Sequence, residues 1–483
     1  MVRNGIYNLV GALIRASTGL ATVPILSRLM GLEEYGLWAL ISSILSLLTV
    51  VEAGLSNTAT VFLSKDLSEQ DNLKVSHSIT VIMSFMLVLA VLASLLLYSN
   101  APAVISFFPK LDHQQYKDGV LALQIGSFSI LLQLLQQVFI GIEQAYQEYR
   151  LLSILKTLQF TLLSLGWITI AFQGGNSVTL TIWQLAVSSL IFVAHISVFG
   201  VLTKKQDLKI AWDKEKAIVI LRYNLVMWSM TLGGLLFTRG DRIIVGSTLG
   251  VESLGIYAVV SDIASGINFL VAQPIQPLLP FISGLNPNLD SSYLDQLKNR
   301  LKRVIQLNGC MASWCGSLVL IFSPLVIKFA IPLNSTTEKT ALLCLYFLSI
   351  ITTLQSLCGT GYYVLMSENV KYLSSLLFSS GFLSLLLIYL GSISYGLIGA
   401  TLGNLAFSAM IISTFVSTKK FGLDYKVTFY CMATPVFPFL LICLLNLLFG
   451  YTHIVFSCLL IFQSALAAGW LFKLLRVSIK NSS

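Results

Sequence analysis

Fourteen long apolar segments, separated by short polar breaks, run through almost the whole of this 483-residue chain. A helix needs roughly 20 apolar residues to cross a bilayer, and only helices and closed barrels satisfy every backbone polar group in lipid. Because the segments show no strict alternation of apolar and polar residues, helices are favoured over barrel strands. The sequence therefore predicts an all-α polytopic membrane protein with about 14 transmembrane helices. The expected segments are 5–30, 37–63, 77–99, 119–142, 151–172, 179–202, 219–238, 254–283, 304–331, 341–365, 372–391, 396–417, 428–449 and 453–472.

Composition leaves little room for a soluble domain. Apolar residues make up 56% of the chain and charged residues only 11%, whereas soluble domains carry about 25% charge. The longest predicted loops, such as 284–303, are too short for a catalytic or nucleotide-binding domain, and the P-loop pattern is absent. The four His residues show no metal-ligand spacing. We therefore expect a protein that is not an enzyme, holds no metal and needs no cofactor.

The basic residues predict the orientation in the membrane. The net charge is +9, and cytoplasmic loops of membrane proteins are enriched in Lys and Arg. We number each loop by the predicted helix that it follows. Of the 30 Lys and Arg residues, 20 fall on the two tails and the even-numbered loops. Three lie within or at the ends of predicted helices: Arg15, Lys156 and Arg222. The other seven lie on the odd-numbered side: Arg28, Lys110, Lys117, Arg239, Arg242, Lys328 and Lys339. We expect both termini in the cytoplasm, an even number of spans and no nucleic-acid partner.

A short pattern repeats between the two halves of the chain. Residues 29–39 (LMGLEEYGLWA) align with residues 248–258 (TLGVESLGIYA) at an offset of 219 residues, and residues 148–153 resemble 369–374 at an offset of 221. Both copies of each pattern occupy the same place in the order of helices. The identical pairs in the first pattern are Gly31 and Gly250, Glu33 and Glu252, Gly36 and Gly255, and Ala39 and Ala258.

This duplication predicts the domain organisation. Residues 1–215 form one six-helix lobe, residues 216–420 form a second, and residues 421–483 carry two additional helices and a cytoplasmic tail. Because six is even, both lobes enter the membrane from the same side and are parallel repeats. Two-lobed transporters of this kind place the substrate site between the repeats and rock the lobes for alternating access.

The repeated segment carries a family resemblance. A first helix that ends in residues 24–40 (PILSRLMGLEEYGLWAL), followed by a Ser-rich second helix, resembles the bacterial polysaccharide transporters. These are the O-antigen and capsule repeat-unit flippases of the multidrug/oligosaccharidyl-lipid/polysaccharide superfamily. Residues 239–246 (RGDRIIVG), with 254–258 (LGIYA), look like the counterpart in the second lobe. The likeness covers residues 1 to about 420.

The resemblance implies a function. It implies export of an undecaprenyl-pyrophosphate-linked oligosaccharide from the inner to the outer leaflet of the bacterial inner membrane, for O-antigen (lipopolysaccharide), capsule or exopolysaccharide synthesis. The implied ligands are the lipid-linked oligosaccharide and membrane lipids, and other polysaccharide-assembly proteins are candidate partners. One alternative is a cation- or proton-coupled multidrug antiporter of the same superfamily. Another is a membrane glycosyltransferase or polymerase, which would require a longer loop.

Polar residues inside the predicted spans are the candidate site, because lipid penalises them. In the first helix they recur at steps of three and four and share one face, with Arg15 near mid-span. This face predicts the wall of an aqueous cavity; the alternative is an Arg paired with a carboxylate for packing. The candidate cavity-lining residues are Asn4, Asn8, Thr18, Thr22 and, from the eighth helix, Gln273.

Three acidic residues are candidates for ion coupling or charge pairing. Glu52 lies at the edge of a polar face of the second helix, and Asp262 lies on a polar face of the eighth. We interpret these two as the only carboxylates deep within spans, able to bind a proton or Na⁺ or to neutralise Arg15. Asp241 lies between two basic residues at the predicted end of the seventh helix.

Those basic residues, Arg239 and Arg242, are candidate ligands for an anionic headgroup. Two guanidinium groups can clamp a pyrophosphate bidentately, and Asp241 would hold one of them in position. The alternative is an interfacial charge cluster that marks the helix end. By family resemblance, a cationic cavity receives the headgroup, which adds Arg15 to the set.

The remaining polar and small residues are expected to serve packing. Gln133, Ser188 and Ser356 are predicted to make interhelical hydrogen bonds, with binding of sugar hydroxyls as the alternative. His195 alone does not indicate a proton relay. The patterns Gly246-x-x-x-Gly250 and Gly399-x-x-x-Gly403 predict close approach of helices.

Overall fold

The computed structural model describes residues 18–19, 21–52, 54–69, 71–204, 208–272, 275, 278, 291–331, 335–449 and 453–480. The regular structure in these ranges is entirely helical. The helices are α1 (Ala21–Met30), α2 (Leu32–Leu48), α3 (Leu55–Ser68), α4 (Asn72–Ser106), α5 (His113–Ala145), α6 (Tyr149–Phe172), α7 (Ser177–Thr203), α8 (Lys214–Leu249), α9 (Val251–Ala272), α10 (Ser291–Ala330), α11 (Ser335–Ser356), α12 (Gly359–Glu368), α13 (Val370–Gly403), α14 (Ile412–Lys420), α15 (Tyr425–Phe449) and α16 (His453–Lys480). Two 3-10 segments, Thr49–Glu52 and Asn404–Ile411, join α2 to α3 and α13 to α14.

These helices confirm the predicted all-α polytopic membrane fold. Each predicted segment coincides with helical structure over most of the part of it that is described, but 37–63 is interrupted after Glu52 and 341–365 is interrupted between Ser356 and Gly359. Within the described ranges, nine helices are long and apolar enough to cross a membrane. On α4, Leu95 and Leu96 are 57% and 63% exposed. Large apolar side chains on the outside of a helix need lipid around them, which is the environment expected for a spanning helix.

Two predicted spans, 372–391 and 396–417, fall within one helical stretch that turns at Gly396. This glycine has φ 60° and ψ −142°, a conformation that costs glycine little. Beyond the turn, a Cβ built on Gly399 would lie only 2.2 Å from the Gly391 carbonyl oxygen. The turn therefore confirms the predicted boundary, and the small residues allow the close approach that their spacing predicted.

The two copies of the repeated pattern adopt the same backbone conformation. Gly31 separates α1 from α2 with φ 79° and ψ 163°, and Gly250 separates α8 from α9 with φ 92° and ψ 174°. Residues with a Cβ rarely adopt such a positive φ. Glu33 and Glu252 lie in the first turns that follow, where the helix dipole favours acidic residues. Gly250 thus ends a helix, and of the two glycines predicted to let helices approach, only Gly246 faces α2, where a Cβ would lie 3.5 Å from Leu40 Cδ1.

The second glycine of each copy lies where the two copies contact each other. A Cβ built on Gly36 would lie 1.8 Å from the Val251 carbonyl oxygen, and one built on Gly255 would lie 2.1 Å from that of Leu32. Leu32 and Val251 are equivalent positions of the repeat, so the two contacts are reciprocal. We call these four residues the glycine contact. A side chain at either glycine would require the backbone to move.

Packing divides the chain into two compact units, Met1–Gly255 and Ile256–Ser483. In the first unit α5 is central: it packs against α2, α3, α4, α6 and α7. The most apolar stretch of α5 is 67% buried, against 17% for α6 and 22% for α7. In the second unit α10 packs against α11, α15 and α16. The division at 215/216 predicted from the duplication stays a prediction.

A buried ion pair joins α3, α4 and α8 within the first unit. Lys216 Nζ lies 2.7 Å from Asp66 Oδ2, and the Ser78 hydroxyl donates to the same oxygen at 2.6 Å. Lys216 Nζ also donates to the Lys74 carbonyl oxygen at 2.8 Å. Because Asp66 is only 5% exposed, water does little to screen the interaction.

Replacing Asp66 with asparagine is expected to lower the free energy of unfolding by about 2 kcal/mol, because the lysine loses its charged partner in a buried position. The midpoint of thermal unfolding of the purified protein in detergent measures the effect. The control is Asp295→Asn, because the Asp295 side chain is 75% exposed and pairs with Lys298 at the surface. Exposed pairs contribute about 0–1 kcal/mol, so equal shifts for the two variants would contradict the buried pairing.

Candidate functional site

The second predicted span, 37–63, is broken near its middle. After α2 the chain forms a 3-10 turn over Thr49–Glu52, and α3 starts after Gly54, whose φ is 93°. The prediction of one continuous helix here was therefore wrong. Hydroxyl groups before the break donate back to carbonyl oxygens of the preceding turn, as Thr49 Oγ1 does to Ser46 at 2.6 Å, and such bonds bend helices.

Glu52 lies at this break, beside the N-terminus of α3. Its Oε1 accepts a hydrogen bond from the Ser56 backbone N–H at 3.3 Å, and the dipole of α3 favours a carboxylate at this position. The ammonium group of Lys156, on α6, interacts electrostatically with Glu52. The structure thus provides a cationic neighbour that the sequence did not identify. The partner considered from the sequence, Arg15, lies outside the described residues.

Polar contacts continue from the break along α3 and α5. Thr60 Oγ1 donates to Gln144 Oε1 at 2.9 Å and lies 3.2 Å from the Gly141 carbonyl oxygen. The helices approach this closely because residue 141 is glycine: a Cβ there would lie 2.6 Å from the Ser56 carbonyl oxygen. The polar faces of α3 and α5 are therefore in direct contact.

A second polar cluster, between α5, α6 and α7, contains an acid and a base. His195 Nδ1 lies 2.6 Å from Glu143 Oε1, and the two side chains are 0% and 1% exposed. His195 Nε2 lies 3.2 Å from Gln136 Nε2, which also donates to Gln159 Oε1 at 2.9 Å. Gln159 Nε2 donates back to Gln136 Oε1 at 3.4 Å. We call these four residues the His–Glu network.

Glu143 overturns the interpretation that Glu52 and Asp262 are the only carboxylates deep within spans. The predicted span ended at residue 142, whereas α5 continues to Ala145 and carries Glu143 into the protein interior. One signal was present in the sequence: His195 is the only ionisable residue in the predicted span 179–202. An isolated ionisable side chain in a span requires a polar partner.

Arg239, Asp241 and Arg242 lie inside a helix rather than at its end. α8 continues to Leu249, so the predicted helix end at residue 238 was wrong. It ends before Gly250, because a glycine with positive φ is the usual residue after a helix. Asp241 and Arg242 are 6% and 5% exposed, and the Arg242 N–H donates to Asp241 Oδ1 at 2.8 Å. Arg239 is half-buried.

The other predicted site residues are dispersed. Asp262 is half-buried on α9, and its carbonyl oxygen accepts a hydrogen bond from the Ser265 hydroxyl at 2.8 Å. Thr22 is 5% exposed and donates to the Thr18 carbonyl oxygen at 2.7 Å. The roles assigned to them stay predictions. Outside the described residues lie Asn4, Asn8, Arg15 and Gln273.

Several polar side chains join helices, as predicted. Gln133 Nε2 donates to Ser188 Oγ at 3.2 Å between α5 and α7. In the second unit, the Ser356 hydroxyl donates to Asn268 Oδ1, between α11 and α9. These contacts favour interhelical hydrogen bonding over sugar binding for these groups.

Comparison with known proteins gives both a family and a fold. The profile of the family described as "Polysaccharide biosynthesis protein" matches residues 1–286. The fold is similar to that of a lipid II flippase, MurJ, in an inward closed conformation, with a TM-score of 0.72 and 14% identity, covering 97% of this chain and 99% of that one. No curated protein sequence gives a significant match.

Two further solved structures are transporters. An inward-facing multidrug resistance MATE family transporter of the MOP superfamily has a TM-score of 0.66 and 13% identity, covering 86% of this chain and 98% of that one. The Vibrio cholerae MATE transporter VcmN has a TM-score of 0.58 and 13% identity, covering 89% and 97%. At these identities the likeness concerns the fold, and it is the fold of transporters and a flippase rather than of enzymes. Since the family profile covers more than half of the chain, this multi-pass membrane protein belongs to the polysaccharide biosynthesis protein family.

Proposed function

We propose that this protein is a flippase that translocates an undecaprenyl-pyrophosphate-linked oligosaccharide across the bacterial inner membrane, for O-antigen, capsule or exopolysaccharide synthesis. The observation that carries the proposal is the family match over residues 1–286. The fold supports it, because a protein named as a lipid II flippase has a similar fold over nearly the whole chain.

The headgroup of such a substrate is an anion, and α8 carries cations within its length. Arg239 and Arg242 lie inside this helix, and a charged side chain in a buried position is costly unless it serves a ligand or a partner. Arg239 is half-buried, so part of its surface is open to a ligand, whereas Arg242 is almost enclosed. In the proposal these residues and Arg15 bind the pyrophosphate through bidentate hydrogen bonds.

Translocation proceeds by alternating access, with the prenyl chain remaining in lipid and both termini in the cytoplasm. The break between α2 and α3 supports this mechanism, because non-helical backbone at membrane depth is tolerated where it is enclosed in protein or lines a polar cavity. Glu52, Asp241 and Asp262 are the proposed sites for coupling to H⁺ or Na⁺ or for pairing with the cations. Other polysaccharide-assembly proteins are proposed partners.

A cation- or proton-coupled multidrug antiporter is the second candidate, and the likeness to MATE transporters favours it. Such an antiporter needs carboxylates that are available to a cationic drug. In the described part of the first unit, Glu52 interacts with Lys156, and Glu143 is paired with His195. These two carboxylates already have basic neighbours, which argues against a cationic substrate. The arginines of α8 add a second argument, because they favour an anionic one.

Deletion of the gene and re-expression of the chain test the proposal. Deletion should abolish the surface glycan and leave lipid-linked oligosaccharide accumulated on the cytoplasmic leaflet, and re-expression should reverse both effects. Immunoblots of surface glycan and extraction of the prenyl-linked intermediates are the measurements. If deletion leaves the glycan unchanged and instead lowers the tolerated concentration of ethidium, the protein is a drug antiporter and the flippase proposal fails.

A further inference from the structure

We propose that Glu143 and His195 form a proton-binding site in the interior of the first unit, with the Gln136–Gln159 amide pair as its connection towards solvent. The site couples proton uptake to the transport cycle, a role that rests on the function proposed above. The ligand is a single proton, and the residues belong to the His–Glu network rather than to the predicted coupling residues.

The enclosure of the acid is the first reason. Glu143 is 1% exposed, and its Oε2 has no hydrogen-bond partner in the described part of the chain. A carboxylate with an unsatisfied oxygen is costly away from water. A neutral carboxylic acid leaves only a weaker carbonyl acceptor in that position, so uptake of a proton relieves most of the cost.

The hydrogen bonds define the state before uptake. Gln136 Nε2 is a donor, so His195 Nε2, at 3.2 Å, is the acceptor. The imidazole proton is then on Nδ1, which donates to Glu143 Oε1 at 2.6 Å. A neutral imidazole beside a carboxylate gives the pair a net charge of −1, which is costly to keep in the protein interior.

Proton uptake needs no other reactant. One proton from water binds to His195 Nε2, and the proton on Nδ1 moves across the 2.6 Å contact to Glu143 Oε1. The N–H bond at Nδ1 breaks as the O–H bond forms, and the pair becomes neutral. Gln136 then turns its amide so that Oε1 accepts the new Nε2–H. Gln159 turns with it, and the reciprocal hydrogen bonds between the two amides are preserved.

The amide pair therefore fits both protonation states. In the first orientation the Gln136 amide donates to the imidazole, and in the second it accepts from the imidazole. In both orientations the N–H and C=O groups of Gln136 and Gln159 all have hydrogen-bond partners. Gln159 is half-buried on α6, whereas the other three members of the network are buried. It is the end of the network through which a proton enters.

The described side-chain contacts of the pair include no third titratable group. The side-chain hydrogen bonds and ion pair of Glu143 and His195 involve only each other and Gln136. α7 carries no further ionisable residue, and α6 presents Lys156 one turn before Gln159. Tyr149 and Arg150 lie at the N-terminal end of α6. The charged or titratable residues on the other elements packed against α5, and on α5 and its C-terminal loop, are Glu33, Glu34, Tyr35, Glu52, Lys65, Asp66, Lys74, His77, Tyr98, His113, Tyr116, Lys117, Asp118, Tyr146 and Glu148.

Infrared difference spectroscopy of the purified protein in liposomes tests proton binding without any saccharide. As the pH is lowered, the unaltered protein should gain the carbonyl band of a buried carboxylic acid. Glu143→Gln should lose the Glu143 part of this band, and His195→Leu should keep it at every pH, because the carboxylate loses the Nδ1–H donor that stabilises its charge. The control Glu148→Gln, in the loop after α5, should titrate like the unaltered protein.

The outcomes separate this proposal from the flippase function. A titrating band of the same size in Glu143→Gln as in the unaltered protein, or the absence of any titrating band in the unaltered protein, overturns the proton site and leaves the flippase untouched. If the band behaves as expected, surface glycan tests the coupling: Glu143→Gln should reduce it about tenfold or more at an unchanged membrane level, as for loss of a contact worth 1.4 kcal/mol or more. Normal glycan in that variant overturns the coupling.

Discussion

Alanine at position 36 is expected to lower the free energy of unfolding by about 3 kcal/mol. The added methyl group would lie 1.8 Å from the Val251 carbonyl oxygen, and a backbone atom cannot rotate away as the end of a side chain can. α2 and α9 must therefore separate at the glycine contact, and the close packing around them is lost. The midpoint of thermal unfolding in detergent and the level of protein in the membrane measure the effect.

The reciprocal glycine provides an internal check. Gly255→Ala should cause a similar loss, because its Cβ would lie 2.1 Å from the Leu32 carbonyl oxygen. The double variant should lose less than the sum, since helices separated by one methyl group already have room for the second. Gly200→Ala is the matched control: nothing lies within 4 Å of a Cβ there, and alanine favours a helix by about 1 kcal/mol. Equal stability of the Gly36 and Gly200 variants would contradict the contact.

Replacing Arg239 and Arg242 together with alanine is expected to abolish the surface glycan. Each hydrogen bond between a charged group and its ligand contributes about 1.5–3 kcal/mol, and every 1.4 kcal/mol is about tenfold in affinity. Loss of both guanidinium groups therefore removes far more binding than the transport cycle can tolerate. The bond from the Arg242 N–H to Asp241 comes from the main chain and survives the substitution. Surface glycan, normalised to the membrane level of the protein, is the measurement.

Two further variants test whether the charge itself matters. Arg222→Ala, on an exposed position of the same helix, should leave glycan display unchanged. Arg239→Lys keeps the positive charge but loses the planar fork that binds a pyrophosphate bidentately, so it should give an intermediate level. Arg15→Ala should behave like Arg239→Ala. Normal glycan in the double arginine variant would mean that the headgroup is bound elsewhere.

The spanning helices could be predicted because one property of the sequence, its hydropathy, determines them. A long apolar run must be helical in lipid, and the predicted runs coincide with helical structure over most of what is described. Even the tight turn at Gly396 was predicted, because the two flanking segments are each long enough to span. The break at Thr49–Glu52 was missed, since hydropathy does not register side-chain hydroxyls that compete for backbone carbonyl groups.

Contacts between distant residues were harder to predict. Gly36 and Gly255 were recognised as equivalent positions, yet nothing in their spacing indicated that each would lie against the other copy of the pattern. Glu143 was missed because the predicted helix ended at residue 142, three residues before the end of α5. Its partner His195 is 52 residues away in the chain, so their pairing depends on how α5 and α7 pack.

The glycine contact also bears on how the chain arose. Reciprocal contacts, in which each position of one copy touches the equivalent partner position of the other, are the signature of a two-fold symmetric homodimer interface. In a homodimer of a half-length ancestor, the same glycine would have been present in both copies, so a single codon would have provided both contacts. After gene fusion that requirement falls on two codons, which mutate independently. Other positions of the pattern, such as Tyr35 and Leu254, differ between the copies, so in such an ancestry these two glycines would be where backbone sterics still require the two copies to match.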